Sequence, residues 1–257
     1  MPVRKVRPGP RVLTAALCAT LAVVGYMTVS PEDSAPPAVP RAAAKNAGPG
    51  AAARPAVPAV PAAPPGVGPV TRTRMPDDTS QAFVVTGETR DTNVATAVLY
   101  ERDKAGKWRR AAGPWNAHNA LRGWTEEHWA GDLRTPIGVF GLGDAGGRLP
   151  DPGAKLPYDH DEEFVSPGTG FLGEPLEGSF DYVVAIDYNR IPGMTPLDKE
   201  RPLGQERGGG VWIHVDHGGP TQACISLTAD GMRQLLRALD PAKKPVIVMG
   251  PAAEIAR

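Results

Sequence analysis

Apolar residues run almost unbroken near the start of the chain, thin into a proline- and alanine-rich tract, and then settle into short stretches separated by turn-forming residues. The last regime predicts a folded domain. Ala82-Phe-Val-Val-Thr86 and Thr96-Ala-Val-Leu-Tyr100 combine β-branched and aromatic residues between turn formers, the pattern of strands. Asp103-Lys-Ala-Gly-Lys-Trp108 reads as a hairpin turn into a third strand, and Thr135-Pro-Ile-Gly-Val-Phe140 as a turn entering a short one. Tyr182-Val-Val-Ala-Ile-Asp-Tyr188 reads as the strongest internal strand and Gly210-Val-Trp-Ile-His-Val215 as another, while Val246-Ile-Val-Met249 is expected to close the sheet. One helix is expected. Thr228 caps it, Met232, Leu235, Leu236 and Leu239 follow at helical spacing, and Asp240-Pro241 stops it. Between Gly141 and Gly178 the chain is irregular and dense in Gly and Pro, as in loops that bind or cover a substrate. The expected fold class is mainly β, a sandwiched or closed sheet with one short helix.

The early part places that domain. Arg4, Lys5, Arg7 and Arg11 precede an apolar run from Val12 to Val29. A basic start followed by an apolar core has the form of an export signal, and this run is also close to the length of a membrane span. The expectation is a signal or signal-anchor over residues 1–30, with the remainder extracytoplasmic and contact with the membrane through this segment only. Residues 31–71 form the expected linker: their proline and alanine favour extended polyproline conformations over a packed core. At roughly 3.1 Å per residue such a tract reaches on the order of 100 Å. The expected domain is then 72–257.

Charge changes the picture only by exclusion. Lys plus Arg equals Asp plus Glu at 28 each, and no basic stripe interleaves with aromatics, so nucleic acid is not an expected partner. The two cysteines matter more. Cys18 lies inside the apolar run, which leaves Cys224 as the lone thiol of the domain. An unpaired thiol in an exported protein is either an inert buried group or a reactive one.

The stretch Gly208-Gly-Gly-Val-Trp-Ile-His-Val-Asp-His-Gly-Gly-Pro-Thr-Gln-Ala-Cys-Ile-Ser-Leu227 favours the reactive reading. A strand delivers His214 to its end, a Gly-Gly-Pro turn follows, and the chain returns to Cys224 ahead of the helix. A free thiol, with a pKa of about 8.5, is mostly protonated at neutral pH, and a neighbouring imidazole can take its proton. The nearby helix start would favour negative charge, and the N–H groups of Ala223 and Cys224 are natural oxyanion donors. His217 is a rival base, Asp216 could orient either ring, and His214, Asp216, His217 and Cys224 could together be weighed as metal ligands. Strand alternation sends His214 and Asp216 to one face and leaves His217 in the turn, and structural zinc lacks its second cysteine or spaced histidine pair.

These motifs resemble the L,D-transpeptidase catalytic domain family, also called YkuD-type, from about Thr79 to Gly250. Arg134-Thr-Pro-Ile-Gly-Val-Phe-Gly-Leu142, Val184-Ala-Ile-Asp-Tyr-Asn189 and Trp212-Ile-His-Val with Pro-Thr-Gln-Ala-Cys-Ile-Ser-Leu227 carry the resemblance. The last is similar to the family's His…Ser/Thr-x-Gly-Cys-Ile/Val block. The resemblance implies an L,D-transpeptidase-like β-sandwich or barrel, Cys224 as nucleophile, His214 as base, and Thr221 as the block's Ser/Thr. It also implies a wall of the cleft built from the Thr135-Pro motif. Ala223 stands where the family usually has Gly, and strain follows if that position needs a positive φ. Gln222 stands where a histidine is often found.

The implied activity is cleavage after the third residue of a peptidoglycan stem tetrapeptide, through a thioester and release of D-alanine. Attack by a neighbouring stem's amine then gives a 3→3 cross-link. Water as acceptor gives a carboxypeptidase instead, and a wall-binding module without catalysis is the third reading. Carbapenems acylate the same cysteine in the family, and no metal or organic cofactor is implied. Asp187 and Asn189 are expected either to end a strand or to meet substrate. Trp212 and Trp124 are expected in the core or cleft wall, and His118, His128 and His160 are expected to be solvated or loop histidines. The acidic run near Asp161 could meet a cationic amine acceptor, but such a run is more often a solvated face.

Overall fold

The computed structural model describes residues 62–257, so the expected export segment and the expected linker up to residue 61 lie outside the described residues. Among the described residues no helix is long and apolar enough to cross a membrane. The chain is mainly β. Its strands are β1 (Gln81–Gly87), β2 (Val94–Arg102), β3 (Trp108–His118), β4 (Trp124–Thr125), β5 (Thr135–Pro136), β6 (Gly138–Gly141), β7 (Ala145–Gly147), β8 (Tyr158–His160), β9 (Val183–Ala185), β10 (Trp212–Val215), β11 (Ile225–Leu227) and β12 (Val246–Pro251). Three short helices accompany them: α1 (Pro69–Arg72), α2 (Ala229–Ala238) and α3 (Ala252–Ile255).

Ten strands form one mixed sheet in the order β6-β12-β1-β2-β3-β11-β10-β9-β7-β8, and β4 pairs separately with β5. Most neighbours are antiparallel, but β1 runs parallel to β12, β10 parallel to β11 and β7 parallel to β8. The β1–β12 pair explains a sequence feature. Phe83 and Val85 enter the main core with Ile247 and Met249, whereas Ala82 and Val84 face a second apolar cluster with Val246 and Val248. A strand covered on both faces reads as a continuous apolar run. Val246–Met249 therefore lies inside the sheet, between β6 and β1, rather than closing it; β6 and β8 are the edges.

Residues 62–71, read from composition as the end of the linker, pack on that second face. Val67 is buried against it, Trp108 Nε1 donates to the carbonyl of Ala62, and the Gly68 N–H donates to the carbonyl of Ile255. Helix α2 is amphipathic as its spacing requires. Thr228 caps it by accepting from the Gly231 N–H, and Met232, Leu235 and Leu236 are fully buried in the main core. Each such side chain contributes roughly 1.5–3 kcal/mol by leaving water.

One strand is shorter than its sequence suggests. Of Tyr182–Tyr188 only Val183–Ala185 is β9. Beyond it the chain breaks out of the ladder because Asp187 pairs with Arg190, whose guanidinium also meets Asp144 in a nearly fully buried ion cluster. Asn189 adopts a left-handed φ of 47° and its side chain ties down the carbonyls of Gly204 and Gly208. Asp187 and Asn189 thus brace the loop behind the site.

Candidate active site

The site is built at the meeting of β10 and β11. Their register pairs Ile213 with Ile225 and His214 with Ser226. Ile213, Ile225 and Leu227 fill the core, so alternation turns Trp212, His214, Cys224 and Ser226 to the opposite face. Strand β11 separates Cys224 from α2. The expected help from the helix N-terminus is therefore absent, because that effect fades within a turn.

Cys224 is the free thiol of the described residues and is partly exposed. The Trp212 N–H donates to its Sγ at 3.4 Å, and the sulfur lies 3.7 Å from the carbonyl of Gly210. Gly208, Gly209 and Gly210 have φ values of 66°, 154° and 63°, a succession open to glycine and costly for other residues. That conformation brings the Gly210 carbonyl to the thiol. On the other side, Thr221 Oγ1 donates to the Cys224 carbonyl at 2.7 Å, and Thr135 Oγ1 lies 3.5 Å from the same oxygen. Backbone bonds between Thr221 and the Asn119–Leu121 segment fix the turn to the chain that follows β3. The Thr135-Pro motif therefore acts from below the cysteine, through a fully buried hydroxyl.

Among the described residues, no backbone acceptor takes the N–H of Ala223 or of Cys224. Both residues line the cleft. Ala223 is not among the non-glycine residues with positive φ, which are Leu133, Asn189 and Lys244, so alanine carries no left-handed strain here.

His214 is 3 % exposed and lines the same cleft as Cys224. Its Nδ1 lies 2.9 Å from the carbonyl of Val215. A carbonyl only accepts, so Nδ1 carries the hydrogen and Nε2 keeps the basic lone pair. The edge of Phe180 (5.4 Å between centroids, 80°) and the face of His217 (5.9 Å, 12°) hold the ring. Burial lowers the His214 pKa to about 4 and raises that of Cys224 to about 11. No hydrogen bond links Sγ to either imidazole among the described residues. Desolvation penalises both charged forms and so favours a neutral thiol beside a neutral imidazole over transfer of the thiol proton to the ring.

The remaining side chains fall into place around this pair. Asp216 orients neither cleft imidazole: it takes Ser226 Oγ and His118 Nδ1, each at 2.8 Å. The His118 contact helps hold the Asp216 carboxyl below the usual carboxylate range, against the opposing effect of burial. His217 is held instead by Glu174, 3.0 Å from its Nδ1 and contributed by the long irregular segment. That segment forms one wall of the cleft through Ser166, Thr169 and Phe171, and Gln222 lines the cleft beside Ala223. His128 is buried in the wall next to the triple glycine, not solvated, and burial lowers its pKa. His118 is half-buried in its pair with Asp216, and only His160 is exposed as expected. Trp124 is core and Trp212 packs on Phe164 and Phe180. The four residues weighed as metal ligands do not converge, and no group of three potential ligands occurs among the described residues.

Fold and site together define a mixed β-sheet protein with one thiol and three imidazoles, those of His128, His214 and His217, lining a common cleft of about 430 Å³. No protein-family model, curated protein or solved structure matches the chain.

Proposed function

We propose that the protein is a cysteine-dependent L,D-transpeptidase with an L,D-transpeptidase-like fold, acting outside the cytoplasm on peptidoglycan stem peptides and forming 3→3 cross-links. The observation that carries this reading is the placement of His214 on β10 and of Cys224 directly before the parallel strand β11, in one cleft, beside two backbone N–H groups that find no backbone acceptor among the described residues. A structural thiol needs none of these.

The chemistry follows from the electrostatics. With both groups neutral, His214 acts as a general base: Nε2 takes the thiol proton as sulfur attacks the carbonyl carbon of the donor's third residue. The developing oxyanion is received by the N–H groups of Ala223 and Cys224, a contribution of about 3–4 kcal/mol per donor in comparable sites. His214 then gives its proton to the departing D-alanine amine, leaving a thioester on Cys224. The Thr221 and Thr135 hydroxyls hold the Cys224 carbonyl, which fixes the backbone that carries the sulfur. Water in place of an amine at the second step gives the carboxypeptidase outcome.

The test is acylation by a carbapenem, read by intact-protein mass. One adduct on the wild-type protein that disappears in Cys224→Ala supports the reading. An unmodified protein, or an adduct that survives Cys224→Ala, contradicts it.

A further inference from the structure

Transfer of an acyl group from sulfur to an amine involves two protons, and the transpeptidase reading, on which this inference rests, gives His214 only one of them. At neutral pH the acceptor arrives as an ammonium ion, since an alkyl amine has an ordinary pKa of about 10.4. The balance is E–S–C(=O)R + R′–NH3+ → R–C(=O)–NH–R′ + E–SH + H+. The C–N bond forms and the C–S bond breaks. One proton from nitrogen returns to the thiolate through His214. The other must leave before nitrogen can attack at all, and a base has to receive it.

His217 has the required position and tautomer. It lines the same cleft and stacks on His214 with ring centroids 5.9 Å apart and planes 12° from parallel. Its Nδ1 lies 3.0 Å from Glu174 Oε1, with the two side chains 5 % and 13 % exposed. A carboxylate only accepts, so Nδ1 bears the hydrogen and Nε2 is left basic. Glu174 is itself fixed, because its other oxygen accepts the Leu172 N–H at 2.7 Å and its carbonyl accepts the Gly170 N–H. The ionisable groups around His217 are Glu174 and His214, with Asp216 beside it in sequence but turned to His118 and Ser226. Cys224 and His128 are the other titratable side chains lining the cleft. No lysine, arginine or carboxylate lines it.

We infer that His217 is the base that deprotonates the acceptor ammonium, and that Glu174 is its positioning residue. His214 then serves the sulfur in both half-reactions, and His217 serves the incoming amine. The long segment that carries Glu174 thereby belongs to the acceptor side of the cleft.

The full chain is mixed with a stem tetrapeptide donor and a stem tripeptide bearing a free side-chain amine. Quenched-flow sampling with mass detection gives acylation and transfer rate constants separately from pH 6 to 9. In His217→Gln the ratio of transfer to acylation at pH 7 is expected to fall at least thirtyfold. That variant's transfer should then rise about tenfold per pH unit as free amine becomes available, a steeper dependence than that of the wild type. Glu174→Gln, whose amide leaves both tautomers of His217 open, is expected to lose about tenfold and to recover with pH in the same way. Equal losses in acylation and transfer, or a variant transfer rate that ignores pH, would overturn the inference. Absence of any acyl-enzyme on the wild type would overturn the transpeptidase reading itself, and this assignment with it.

Discussion

Lowering the pH of the acylation reaction separates general-base attack from attack by a preformed thiolate. The neutral-pair account needs His214 unprotonated and Cys224 protonated, and burial sets these limits at about 4 and about 11. At pH 5 about nine-tenths of His214 is then still basic, whereas a histidine with the ordinary value of 6.5 would be about 3 % basic. The two cases differ about thirtyfold. The assay is the second-order rate constant for carbapenem adduct formation, followed by mass in a constant-ionic-strength buffer series from pH 4 to 9. A plateau from about pH 5 to 9 with a fall below pH 4.5 is expected. A rate that climbs tenfold per unit toward alkaline pH would mean that free thiolate is the reactant. A midpoint near 6.5 would mean that the base is a solvated histidine. Either result refutes the neutral-pair reasoning.

The same burial has a consequence for stability. A histidine that is basic when folded and protonated when unfolded favours the native state above pH 6.5, and that stability is lost as pH falls from 6.5 toward 4. For His214 the difference is about 3 kcal/mol, and denaturant titrations should show it as a pH-dependent loss that is smaller in His214→Gln. Thr221→Val removes the donor to the Cys224 carbonyl while keeping volume; about 1–3 kcal/mol of stability and at least tenfold in acylation are expected to be lost, by thermal unfolding and adduct kinetics. Leu235→Ala empties a fully buried position of α2 and should cost about 2–5 kcal/mol by chemical denaturation. A chain starting at residue 72 uncovers the cluster around Val84 and Val248, so its urea midpoint should be lower than that of a chain starting at residue 56.

Much of the sheet was legible because β1, β2 and β10 combine β-branched residues with turn formers at their ends, β3 follows a hairpin turn, and α2 carries both a cap and a four-residue apolar stripe. The approach of Cys224 to His214 was readable from the strand that ends near His214 and the Gly-Gly-Pro turn that leads back to the cysteine. Other features depend on long-range partners that no local pattern records. β7 and β8 lie in glycine-rich or polar sequence and are strands only through backbone pairing. Glu174 finds His217 across 43 residues, and Asp216 finds His118 across 98, so neither pair had a local signal. The shortening at Asp187 reflects a buried ion cluster whose third member, Asp144, is 46 residues from Arg190. The neutral state of the thiol and imidazole is likewise a product of tertiary burial. Val67 packs into the second cluster ahead of residue 72, but its proline-rich surroundings gave the sequence no sign of it.

The most direct measurement is the mass of the protein milliseconds after mixing with a stem tetrapeptide. The account predicts a transient increase equal to the tripeptide acyl group, located on Cys224 by fragmentation, with one D-alanine released per adduct. It should be absent in Cys224→Ala and slowed at least a hundredfold in His214→Gln. Tetrapeptide that stays intact, or an acyl group found on any other residue, would contradict it.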